Sequence, residues 1–141
     1  MTDVVAVTGA TGRVGAPLVT ALLESGRRVR ALSRRAQPAR AGVEWVLGDI
    51  GDPQAVATLV NGAATVFHAA GQVAGSPDEI ERSLVEGTAT VLRAAARVRM
   101  VHVSSLVVLD TASVRGLQMQ RKLCDRMELW ESRPSSTPDA I

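Results

Sequence analysis

Tyrosine is absent from this chain, phenylalanine occurs once and tryptophan twice. The core must therefore be assembled from Ala, Val and Leu, and acid–base chemistry that needs a phenol has no residue to perform it. Cysteine is almost as scarce. Cys124 stands alone, so no internal disulfide can form and nothing calls for an oxidising compartment. Lys122 is the only lysine among 16 basic residues, which face 14 acidic ones for a net charge of +2. So small and scattered an excess does not mark a nucleic-acid-binding face. No apolar run is long enough to span a bilayer, and no charged leader precedes an apolar segment with a cleavage site. The expectation is a cytoplasmic protein with no membrane or nucleic-acid partner and no metal centre.

What is present is an alternation. The 141 residues, 46% apolar and 21% charged, suffice for one domain with a core. Strand-like stretches occur at 3–8, 28–33, 43–48, 64–71 and 100–108. Helical stretches lie between them at 13–25, 52–62 and 76–98. In the first helix Val14, Leu18, Ala21 and Leu22 share a face, and Gly26 stops it. In the second, Asp52 is the expected cap and Pro53 the first residue. In the third, Ile80, Leu84, Thr88, Val91, Leu92 and Ala95 share a face. Strands alternating with helices predict an α/β fold: a Rossmann-type, doubly wound parallel sheet of about five strands. It would occupy residues 1–110. An extra helix is expected over 111–131 and a disordered tail over 132–141.

The stretch 4–15, VVAVTGATGRVG, joins the first strand to the first helix through three glycines. A phosphate binds well at a helix N-terminus, where free N–H groups and the helix dipole both favour an anion. Gly9 permits the tight turn, Gly12 lets a pyrophosphate approach the backbone, and Gly15 lets the helix pack closely. The same glycines would also serve a turn with no ligand. Their place after a first strand, opening a helix in a βαβ unit, favours nucleotide binding.

The spacing is G-x-x-G-x-x-G, and TGATGRVG resembles the cofactor loop of the extended short-chain dehydrogenase/reductase, or NAD-dependent epimerase/dehydratase, family. LGDIGD at 47–52, VFHAAG at 66–71, VEGTATVLRAAA at 85–96 and VHVSSLVVL at 101–109 resemble further segments of that family in the same order. The resemblance spans about residues 3–110. It implies a dinucleotide held by Gly9, Thr11, Gly12, Arg13, Val14 and Gly15. Asp49 and Ile50 would lie at the adenine, and His68, Ala69, Ala70 and Gly71 beside the ribose and nicotinamide. An acid at the end of the second strand would suit NAD, and an Arg there accommodates the 2′-phosphate of NADP. This chain has Ser33, Arg34 and Arg35, which favours NADP through Arg34, with NAD still possible.

The resemblance also implies a catalytic Ser, Tyr and Lys. Ser105 takes the Ser position, and no Tyr exists to complete the set. Lys122 follows Gln118 by four residues, and Gln cannot exchange a proton near neutral pH. Leu84 stands where the family often has Asn, and the substrate-binding half is missing. The chain thus resembles a truncated N-terminal half whose end beyond 110 is unrelated or frame-altered. Three functions stay open: a cofactor-binding form lacking full activity, a reductase with an unusual proton donor acting on an unknown small molecule, and a non-enzymatic NADP(H)-sensing or interaction module. A parallel sheet that ends at strand five also predicts a bare edge, and with it either a homo-oligomer or a marginal, aggregation-prone monomer.

Overall fold

The computed structural model describes residues 3–104 with the exception of 73. The expected helix at 111–131, the tail at 132–141, Ser105 and Lys122 lie outside the described residues. Five strands are present: β1 (Val4–Thr8), β2 (Arg28–Ser33), β3 (Val43–Leu47), β4 (Thr65–His68) and β5 (Arg99–His102). All pair in parallel, in the order β3-β2-β1-β4-β5. The chain winds outward from β1 to β3 and then returns to place β4 on the other side of β1. That reversal is the switch point of a doubly wound sheet, where a crevice opens at the carboxyl ends of β1 and β4.

Side chains alternate across the sheet at the period of two that a strand imposes. Ala6, Leu32 and Val66 join one buried cluster with Val56 and Leu59 of α2 (Pro53–Val60) and Val91 of α4 (Thr88–Ala94). Val5, Val7, Val29 and Ala31 join the other, against Val19 of α1 (Gly15–Glu24). Both faces of β1 are thus covered, as a parallel sheet requires. Chains of Val and Ala do the work that aromatics do elsewhere.

Two expectations change in detail. The buried side of α1 is Gly15 and Val19, backed by Leu18, Leu22 and Leu23. Ala21 is exposed, and Val14 is 51% exposed because the helix begins two residues later than expected and Val14 remains in the turn. The long helix at 76–98 is also not one helix. It comprises α3 (Pro77–Glu81), a π-helical turn over Arg82–Gly87, and α4. The wider turn shifts the phase by about one residue. Ser83 Oγ thereby accepts the Gln72 N–H at 3.0 Å beyond β4, while Thr88 and Val91 stay buried.

One arginine of the scattered set, Arg30, is tied into the fold. Arg30 donates to Glu44 at 2.9 Å and to the Asn61 and Thr58 carbonyls at 2.6 and 3.2 Å. A cation at the carboxyl end of α2 satisfies carbonyls that the helix leaves open. The second helix is as expected: Asp52 accepts the Gln54 N–H at 2.9 Å and Pro53 opens α2.

Candidate functional site

The β1–α1 turn is built by its glycines. Gly9 sits at φ +69°, and a Cβ there would lie 2.6 Å from the Ala69 carbonyl carbon. It is a left-handed position that also abuts the end of β4, so glycine is required twice over. A Cβ at Gly15 would run into the Gly9 carbonyl and come within 2.9 Å of Ala10 Cα. Gly15 therefore lets the helix close onto the turn itself, rather than onto the sheet as its position first implied. Gly12 differs from both. Its N–H donates to Gly9 O at 2.9 Å, and a Cβ there would meet that oxygen alone, at 3.2 Å. The space over Gly12 is otherwise open. Thr11, Gly12, Arg13 and Val14 are all exposed around it.

The start of α1 has no side-chain cap and no acid in its first turn. By contrast, Asp52 caps α2, and Ser76 with Glu79 forms a reciprocal capping box on α3. The α1 terminus is the one of these three whose partial positive charge no side chain answers, and it opens on the switch-point crevice.

Across that crevice the end of β4 is made of small residues. Ala69 N–H donates to Thr8 O at 3.3 Å and Ala70 N–H to Thr8 Oγ1 at 3.2 Å, so β1 and β4 stay joined past their last paired residues. Gly71 follows, where a Cβ would lie 2.6 Å from Leu84 Cδ2 on the π turn.

At the end of β2, Ser33 Oγ donates to the Arg35 carbonyl at 2.7 Å and accepts from Gln37 Nε2 at 3.2 Å. This turn holds Arg34 exposed at the strand end, with no acidic side chain on residues 33–37. After β3, Asp49 Oδ1 accepts the Gly51 N–H at 2.8 Å. Ile50 is buried in the core, beside Gly87, where a Cβ would meet it at 2.5 Å. All these segments follow the carboxyl ends of parallel strands, so the fold brings them to one edge.

His68 lies deeper than a ligand-facing side chain. It is 0% exposed, with Nδ1 2.6 Å from Thr8 Oγ1 and Nε2 3.0 Å from Thr88 Oγ1. His102, its register partner on β5, stacks on it with ring centroids 5.2 Å apart and 25° between planes. Burial, and secondarily the neighbouring His102, lowers the His68 pKa to about 4. Burial also lowers that of His102. Sequence inspection placed His68 at the site and missed Thr8, Thr88 and His102. One signal was available: Thr88 is a polar residue on an apolar helix face. The stacking of His102 depends on strand register, which no local pattern reveals.

Ser105 and Lys122 lie outside the described residues. Among those described, no group of His, Cys, Asp or Glu could hold a metal ion, and no helix is long and apolar enough to cross a membrane.

Comparisons with known proteins agree with this geometry. A family model described as the NAD dependent epimerase/dehydratase family matches residues 5–128. The match thus continues beyond residue 110, where the quoted motifs end. A 3 beta-hydroxysteroid dehydrogenase/Delta 5-->4-isomerase of Mycobacterium tuberculosis is 39% identical over 127 residues, covering 79% of this chain and 34% of its own length. Sterol demethylase protein B of Methylococcus capsulatus is 38% identical over 109 residues, covering 70% of this chain and 33% of its own. A crystal structure of a short-chain dehydrogenase/reductase superfamily protein from Agrobacterium tumefaciens with bound NAD superposes with a TM-score of 0.68. It is 36% identical and covers 77% of this chain and 34% of that one. The chain spans about a third of the length of these relatives.

Proposed function

The chain belongs to the NAD dependent epimerase/dehydratase family, and from that premise we propose that it binds a nicotinamide dinucleotide at the crevice between β1 and β4, with NADP preferred over NAD. The observation that carries this is Gly12. The protein's own packing demands glycine at Gly9 and Gly15, but at Gly12 only one carbonyl oxygen stands near. A glycine less crowded by the fold than Gly9 or Gly15, exposed at an uncapped helix start, suits a backbone that a pyrophosphate approaches.

The other residues take roles by position. Thr11, Arg13 and Val14 border the pyrophosphate, and Asp49 and Ile50 the adenine end. Ala69, Ala70 and Gly71 leave room beside the ribose and nicotinamide. Arg34 supplies a fixed positive charge for a 2′-phosphate. The dinucleotide, when bound, supplies the centre that gives or takes a hydride. Ser105 would orient a substrate oxygen. Cofactor binding is the function these residues support best, and this sequence holds no tyrosine to move the proton. Fluorescence titration with NADPH and NADH tests this. Tighter NADPH binding is expected, equal affinities would remove the NADP preference, and no binding of either would overturn the function.

A further inference from the structure

We propose that His68 is a positioning residue of the dinucleotide crevice: a neutral imidazole, protonated on Nε2, that ties the last residue of β1 to the first residue of α4 and so holds the glycine turn against the end of β4. The proposal rests on the dinucleotide function above and deepens it.

The direction of each hydrogen bond follows from the donors present. Thr8 Oγ1 accepts the Ala70 N–H at 3.2 Å. Its own proton then remains to be donated, and His68 Nδ1 lies 2.6 Å away. That separation is short for an N–H donor and ordinary for an O–H donor. Nδ1 is therefore the acceptor, and the ring proton sits on Nε2, which donates to Thr88 Oγ1 at the longer 3.0 Å. The result is a directed chain from the Ala70 N–H through Thr8 and His68 to Thr88.

This chain joins β1, the end of β4 and α4. Thr8 immediately precedes Gly9, and Ala70 immediately precedes Gly71. Thr88 opens the helix that follows the π turn. Tilting the ring would move both walls, and Gly9 already stands against the Ala69 backbone without slack. Among the described residues, the groups facing the ring are two neutral hydroxyls, Thr8 from β1 and Thr88 from α4, and the His102 ring from β5. None is a carboxylate that could stabilise an imidazolium. A proton on Nδ1 would force the Thr8 hydroxyl to stop donating and would break the chain at its centre.

Two readouts test the proposal. Imidazole ¹⁵N shifts of the free protein at pH 7 should place the proton on His68 Nε2, with Nδ1 unprotonated. In NADPH titrations, Thr88→Val should weaken binding about tenfold, since it strands a buried N–H without altering shape. Thr88→Ser keeps the acceptor and should restore affinity to within about twofold. A proton on Nδ1 in the unmodified chain overturns the proposal even if Thr88→Val fails to fold. So does a Thr88→Val protein that melts earlier but binds NADPH as tightly, because that is a structural role alone. If the unmodified chain binds neither NADPH nor NADH, the dinucleotide function fails, and the coupling with it.

Discussion

Gly9 and Gly12 sit three residues apart and fail in different ways when replaced. Gly9→Ala places a Cβ 2.6 Å from backbone at a positive φ. It should cost about 2 kcal/mol or more of stability, read as a lower urea midpoint. A Cβ at Gly12 would meet only one oxygen of the protein, so Gly12→Val should fold by circular dichroism and lose NADPH binding. Normal binding by folded Gly12→Val would show that the phosphates lie elsewhere. Arg34→Ala should weaken NADPH by about tenfold to a hundredfold and leave NADH unchanged, since one charge-assisted contact is worth about 1.5–3 kcal/mol. His68 gives the pH dependence. Its pKa falls from 6.5 to about 4 on folding, so below pH 6.5 the unfolded chain binds a proton that the folded chain refuses. The stability is complete above pH 6.5 and is lost as pH falls from there towards 4. His102, lowered likewise, adds in the same direction. Between pH 7 and 4.5 the His68 contribution alone should drop by about 2 kcal/mol. Urea unfolding at the two pH values checks this, and His68→Asn should flatten the difference.

Among the elements, α2 shows what local sequence can specify. Asp52 followed by Pro53 predicts its start, and the cap is made. Asp52→Ala should cost about 1 kcal/mol, read as a lower midpoint in urea unfolding. The β1–α1 turn was equally legible, since glycine spacing after a β-branched run is a local signal. The stretch at 76–98 was not. Its apolar spacing predicts one helix, yet the backbone widens at Arg82–Gly87. The close neighbours of that turn are distant in sequence: Leu84 lies against Gly71, and Gly87 against Ile50. The same limit hid the His68 chain. Thr8, His68, Thr88 and His102 are joined only through the register of β1, β4 and β5. Arg30 is a third case, an apparently ordinary strand cation whose partners on α2 lie about thirty residues ahead.

At the scale of the whole molecule the sheet has two ends, and they are not alike. β3 ends the sheet beyond β2, with Glu44 and Arg30 paired at 2.9 Å near that edge. β5 ends it beyond β4, and its Val101 is 40% exposed, followed by Val103 at 37%. Among the described residues β5 pairs on one side only, and the chain spans about a third of its relatives' length. Unpaired N–H and C=O groups beside exposed valines form a template for another strand, and edges of this kind are ordinarily blunted by charge or cover. The expected outcome is self-association through β5. Light scattering over a dilution series should show a mass that rises with concentration. Val101→Lys should shift the distribution towards monomer, because a lysine on an edge strand opposes pairing between copies. NADPH binding should be unaffected by that change, since Val101 lies on the far side of β4 from the glycine turn. A monodisperse monomer of high thermal stability at every concentration would show that this edge is covered within the chain itself.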